Sequence, residues 1–295
     1  MQDYPFNTPF ELPEDDDLSD RLFLATQEEE EDGSANSPLF DVDDEEEEAG
    51  EAIQLTIERV LKVLEHGEME ERGLLPYSSN YSFLVLVDDG EISLPAVYKP
   101  RRGENPLWDF PTGTLCQRET AAFDVSNALG WDLVPPTVLR EGTRGIGSVQ
   151  FYIDCDPEIH YFTMREDARY APTLRRMVLF DFIINNADRK SGHCLFGYDE
   201  RVWAIDHGIC FHQEYKLRSV IWEFSGEAIA DDLLLDLVEL QTTLTQPQSD
   251  LSQRLARLIN SRERAALCAR LEQLIESERY PTPLPYQRNH PWPPI

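Results

Sequence analysis

The chain has few cysteines, no long apolar run and a shortage of positive charge, and each shortage excludes something. Its five cysteines (Cys116, Cys155, Cys194, Cys210, Cys268) are scattered through 295 residues without a C-x-x-C pair. That argues against a zinc ribbon or a disulfide framework and fits a reducing cytoplasm. No run of 18 apolar residues occurs, and MQDYPFNTPF has neither the basic start nor the apolar core of a signal peptide. A cytoplasmic protein without stable membrane insertion is the expectation. Lys and Arg number 26 against 56 Asp and Glu, a formal net charge of −30. Nucleic acid and unassisted binding to an anionic membrane both need basic patches, so neither is an expected partner.

The charge is unevenly spread. Residues 1–50 hold 19 acidic side chains against Arg21 alone, whereas the rest holds 37 acidic and 25 basic. Such a segment buries too little apolar surface to offset its ordering entropy and reads as a disordered acidic tail. It is either a solvated spacer or an arm for autoinhibition or a protein partner, with RLFLA (21–25) as a short docking helix.

Beyond the tail, apolar spacing predicts an amphipathic helix over 51–66, then glycine punctuation at Gly67 and Gly73. YSFLVLVDDGEISLPAVYK (81–99) reads as a hairpin turning at Asp-Asp-Gly. A helix from Leu115 to Leu129 follows, and then two strands, LVPPTVLRE and GSVQFYI. Residues 173–186 form an apolar helix, and HCLFGYDE with RVWAID a second hairpin. IADDLLLDLVELQTTL and LSQRLARLINSRERAALCARLEQLIES are helical, and the tail from Pro281 is too rich in proline to continue as helix. The domains read as a tail (1–50), an N-lobe with its leading helix (51–155), a C-lobe (156–280) and a Pro-rich end (281–295). The fold class is α+β, with a strand-rich lobe, a helix-rich lobe and a cleft between them.

Phosphoryl transfer from ATP needs a cation on the phosphates, a carboxylate to hold that cation, a base for the acceptor hydroxyl, and hard ligands for a divalent metal. Lys99 in AVYKP, Glu119 in CQRETAAF, Asp188 in NNADRKSGHCLF and Asp206 in AIDHG occur in the chain order kinases use. Singly, each is an ordinary residue: a surface lysine, a solvated glutamate, two polar turns. Their order gives them force.

SSNYSFLV, AVYKPRRGENP, RETAAFDVSNALGWDLVPPT, GSVQFYI, NNADRKSGHCLF and AIDHGICF together resemble the phosphatidylinositol 3-/4-kinase superfamily, in the style of its type II phosphatidylinositol 4-kinases. More narrowly they resemble a bacterial family grouped with those kinases by the same similarity. The resemblance covers Ser78 to about Gly226, roughly half the chain, and implies a two-lobed protein-kinase-like fold using ATP with Mg²⁺ or Mn²⁺. It implies that Ser78, Ser79, Asn80 and Ser82 cover the phosphates, in a turn that here lacks glycine. Lys99 would pair the α/β-phosphates with Glu119 orienting it, and Gln150, Phe151, Tyr152 and Ile153 would meet the adenine edge. Asp188 would take the hydroxyl proton, Arg189 would brace its loop, and Asp206 would bind metal.

One departure stands out. Five residues after Asp188, where the kinase pattern has Asn, stands His193. Three roles are open to it: a metal ligand favouring Mn²⁺, a donor to phosphate, or a packing residue in a pseudokinase. His207 reads as structural. The type II cysteine-rich membrane segment is absent, since PLWDFPTGTLC offers Cys116 alone. Lys216 and Arg218, balanced by Glu214 and Glu223, are thin for a phosphoinositide, so a protein or small-molecule hydroxyl is the favoured acceptor. A protein-interaction module with a vestigial cleft is the reading from a different class.

Overall fold

The structure, a computed structural model, describes residues 6–7, 54–75 and 80–295. The RLFLA segment, most of the acidic tail, Ser78 and Ser79 lie outside them. A short strand β1 (Phe6–Asn7) pairs antiparallel with β2 (Gln54–Leu55).

The helix expected over 51–66 begins instead at Ile57. Thr56 Oγ1 accepts the Arg59 N–H at 3.1 Å, so the chain is extended up to this cap and helical after it, as α1 (Ile57–His66). α1 buries Val60, Val63 and Leu64 and ends at Gly67. A Cβ there would sit 2.8 Å from both Val63 O and Val87 Cγ1, so only glycine fits.

Five antiparallel strands follow: β3 (Glu68–Leu74), β4 (Phe83–Asp88), β5 (Ser93–Pro100), β6 (Thr137–Gly142) and β7 (Gly145–Phe151), in the order β3-β4-β5-β7-β6. The first expected hairpin, over 81–99, is β4–β5, and the two strands expected at LVPPTVLRE and GSVQFYI pair as β6–β7. In the β4–β5 hairpin, Asp88 Oδ1 accepts the Gly90 N–H at 2.6 Å, and Gly90 takes φ +87°. β3 was not expected. EMEERGL has no apolar stripe to read, and it forms a charged edge strand of the kind that resists pairing with another chain. Lys99 lies opposite Ser148, and Gly147 opposite Pro100. A Cβ on Gly147 would stand 2.6 Å from Lys99 O, so this glycine lets β7 close on the lysine strand.

The remaining elements are α2 (Leu115–Ala128), α3 (Tyr161–Met164), α4 (Ala171–Ile184), the hairpin β8 (Cys194–Phe196) and β9 (Val202–Ala204), then α5 (Asp231–Thr245), α6 (Asp250–Leu258) and α7 (Ser261–Ser277). Two apolar clusters result. The sheet cluster gathers Val60, Leu64, Val85, Ala96, Tyr98 and Val149, joined by Trp203 of β9. The helical cluster gathers Leu174, Met177, Phe180, Leu237, Leu255 and Leu271, joined by Ala121, Phe123 and Val125 of α2. Although α2 lies between strands in sequence, its apolar side chains belong to the helical core.

The continuous helical reading of 251–277 needs correction, because the chain breaks at Ile259–Asn260. Asn260 Oδ1 accepts the Glu263 N–H, and Glu263 Oε2 accepts the Asn260 N–H at 3.0 Å, a reciprocal cap that starts α7. Leucine spacing runs straight through this break, so apolar periodicity does not reveal it. The Pro-rich end forms no helix, as expected, yet it is bound. Ser219 N–H donates to Asn289 O at 3.0 Å, and Ser191 N–H to Pro294 O at 2.9 Å. Among the described residues no helix is long and apolar enough to cross a membrane.

Candidate active site

β5, α2 and the turn after β9 bring three charges together. Lys99 Nζ donates to Glu119 Oε1 at 2.6 Å and to Asp206 Oδ1 at 3.1 Å. Glu119 is buried, and its second oxygen accepts the His207 N–H at 2.9 Å. The Asp206 side chain is 48% exposed, and its backbone takes φ +62°, a left-handed turn that Asp tolerates better than most residues. Burial disfavours the Lys99 ammonium, but the Asp206 and Glu119 carboxylates outweigh it and hold the lysine above its usual range. The Lys99 charge holds Asp206 well below the ordinary carboxylate range. Burial pushes Glu119 the other way, upward, against the pull of Lys99.

α4 delivers the second group. It ends at Asn185 in the left-handed conformation (φ +55°), and Asn185 Nδ2 donates to His212 O and Glu214 O. Asn186 Oδ1 then accepts the Asp188 N–H at 2.9 Å. Burial raises the Asp188 carboxyl, opposed by His193 and by Lys190, whose Nζ lies 3.6 Å away. Arg189 is fully buried with every donor engaged. Nε and Nη2 each donate to Asp181 at 2.8 Å, Nη1 to His193 O and Ile205 O, and Nη2 also to His207 Nε2 at 2.7 Å.

His193 faces the same space. Its Nδ1 lies 2.9 Å from Asp188 O, which can only accept, so Nδ1 carries the proton. Burial holds the ring below its usual pKa and hence neutral near pH 7, despite Asp206. Nε2 is left as a bare lone pair, 3.4 Å from Asp206 Oδ2. Two acceptors thus confront each other with no proton between them, a donor set suited to a cation. Among the described residues no group of three or more His, Cys, Asp or Glu forms a metal cage.

The other expected residues are less open. Asn80 Oδ1 accepts the Asn105 N–H at 2.7 Å, while Ser82 is buried at the start of β4. Gln150 is buried and donates through Nε2 to Thr137 Oγ1. The Phe151 and Tyr152 N–H groups already donate to Pro136 O and Pro95 O. Ile153 makes no hydrogen bond among the described residues. His207 is buried and turned away, with Nε2 accepting from Arg189 and Nδ1–H unpartnered. Asp181 escaped the sequence reading because it stands inside an apolar helix; a lone carboxylate in such a run, eight residues before an arginine, was the available signal.

A sheet lobe and a helical lobe meeting at Lys99, Glu119, Asp188 and Asp206 define a protein-kinase-like fold. The crystal structure of the Golgi casein kinase with Mn/ADP bound overlaps it at TM-score 0.50 and 14% identity, covering 75% of each chain. The Helicobacter pylori proinflammatory kinase CtkA overlaps at TM-score 0.45 and 14% identity, covering 74% of this chain and 94% of its own. No family model matches. Protein Rv2133c of Mycobacterium tuberculosis (strain ATCC 25618 / H37Rv) is 39% identical over 264 residues, covering 78% of this chain and 94% of that protein. The chain belongs to the family of that protein.

Proposed function

We propose that the chain is an ATP-dependent phosphotransferase of the PI3/PI4-kinase-like class, acting on a protein or small-molecule hydroxyl in preference to a phosphoinositide. The observation that carries this is the single Lys99 ammonium shared between a buried Glu119 and a half-exposed Asp206, with Asp188 on the neighbouring loop. Bound ATP supplies the phosphoryl group, and a divalent cation, Mg²⁺ or Mn²⁺, neutralises its charge. Lys99 would hold the α/β-phosphates while Glu119 fixes its direction. Asp188, raised by burial, suits a base that takes the acceptor's proton. Asp206 and the His193 lone pair would hold the cation, and an imidazole ligand favours Mn²⁺ over Mg²⁺. The Golgi casein kinase structure carries Mn and ADP, which agrees with this assignment.

Asn80 would stand at the phosphates, and with the Phe151 and Tyr152 amides engaged, Ile153 is the best placed backbone for the adenine edge. Lys216, in the segment that carries headgroup-binding cations in the resembling lipid kinases, is paired with Asp109 at 2.8 Å. That pairing supports an acceptor other than a phosphoinositide.

Incubation with γ-labelled ATP and Mn²⁺ should give autophosphorylation or hydrolysis, lost by at least ~10²-fold in Asp206→Ala. Transfer that survives this change would sink the proposal. His193 at the position where the kinase pattern has Asn favours a second reading, a nucleotide-binding pseudokinase. Mn²⁺-dependent turnover above background would exclude it.

A further inference from the structure

Arg118 sits beside Glu119 on α2, is 1% exposed, and has no part in the chemistry described so far. Its guanidinium ties three separate elements together. Nη1 donates to Cys210 O at 2.7 Å, in the loop that follows Asp206. Nη2 donates to Glu263 Oε1 at 2.6 Å, in the first turn of α7. Nε donates to Thr114 Oγ1 at 3.3 Å, just before α2, and the Phe110 ring centre lies 4.9 Å from the same group. Glu263 is buried too, and its other oxygen closes the Asn260 cap that interrupts the expected long helix.

Two ties therefore run between α2 and the metal-side loop. Arg118 binds Cys210 O, and Glu119 binds the His207 N–H. Without the first, Glu119 would have to hold the loop and orient Lys99 alone. Elsewhere along α2, Asp124 pairs with Arg254 of α6, and just beyond its end Trp131 Nε1 donates to Asp236 of α5 at 2.7 Å. The helix that carries Glu119 is thus fastened by side-chain bonds along its length to the helical lobe, while it also packs against β6 and β7.

We infer that Arg118, held by Glu263, is a positioning residue that keeps Glu119 and the Asp206 loop in fixed register, so that the Lys99–Glu119 pair stands permanently assembled and is not switched by movement of α2. The functional consequence rests on the phosphotransferase reading; the structural claim does not. Arg118→Lys keeps the charge but loses the planar fork that spans Cys210 O and Glu263. Glu263→Gln keeps the packing and removes the charge.

The test is hydrogen exchange on the full chain, alongside kcat and KM for ATP. In Arg118→Lys, exchange over 115–128 and 206–212 should accelerate at least about tenfold, while β4, β5 and α5 keep their protection. kcat should fall more than KM rises, and Glu263→Gln should show the same pattern at smaller size. Unchanged exchange, or equal acceleration throughout the chain, would overturn the clamp. A wild-type chain that neither binds nor turns over ATP would remove the phosphotransferase reading, and the exchange pattern would still decide whether Arg118 positions α2.

Discussion

Two ionic clusters sit within a few residues of each other and are built on opposite plans. In one, Arg189 meets Asp181 through two bonds of 2.8 Å, both side chains are at most 1% exposed, and the remaining donors end on carbonyls and His207. Nothing is left over for a ligand. In the other, a single Lys99 is divided between Glu119 and Asp206, and Asp206 opens to solvent opposite a bare imidazole nitrogen. Here there are more acceptors than donors. A closed cluster fixes a loop, whereas one with surplus negative charge is completed by something positive.

The sharpest way to break this contrast is to remove one side of each. Asp181→Ala leaves Arg189 buried and unpaired, and should cost ~3–5 kcal/mol in denaturant unfolding. Lys99→Met should cost less than ~2 kcal/mol, because Glu119, already pushed up by burial, can take a proton instead. Phosphate transfer, however, should fall by about 10²–10³-fold in Lys99→Met. Equal stability losses in the two variants would erase the distinction.

A smaller effect distinguishes the clusters by pH. His207 is buried and neutral against Arg189, with its pKa well below the ordinary value. Below about pH 6.5 the unfolded chain binds a proton that the folded chain refuses, so stability should fall as pH drops and stay level above that point. His207→Gln keeps an acceptor for Arg189 and should reduce that fall, as followed by thermal unfolding between pH 7 and 5, with His193, also held neutral by burial, keeping the remainder. The smallest expected change is in metal choice. His193→Asn replaces the imidazole nitrogen with an amide oxygen and should move the Mn²⁺/Mg²⁺ activity ratio towards Mg²⁺. An unchanged ratio would take His193 out of the metal site.

The open cluster was the more legible of the two in the sequence. Lys99, Glu119, Asp188 and Asp206 can be found because each stands in a short local context and the four follow the chain order that kinases use. The β4–β5 hairpin and the strands β6 and β7 were readable because turn residues and short apolar runs are local signals. Asp181 was not readable, since its partner is reached only once α4 has folded back on its own loop. Arg118 and Glu263 lie 145 residues apart, and no local pattern links them. β3 lacks an apolar face because an edge strand needs none. The break before α7 depends on one asparagine within an unbroken leucine period. What sequence spacing missed was polar: buried ion pairs, an exposed charged edge strand and a helix cap.

The Pro-rich end adds a constraint in time. The N–H of Ser191, in the Asp188 loop, finds its acceptor at Pro294, and that of Ser219 at Asn289. On a ribosome these acceptors emerge roughly a hundred residues after the loop itself, a delay of about 5–20 s at ordinary elongation rates. The core helices can pack during that interval, but the loop cannot close its hydrogen bonds. The Asp188 loop is therefore finished among the last parts of the fold, and a nascent chain would acquire its core before its candidate active site.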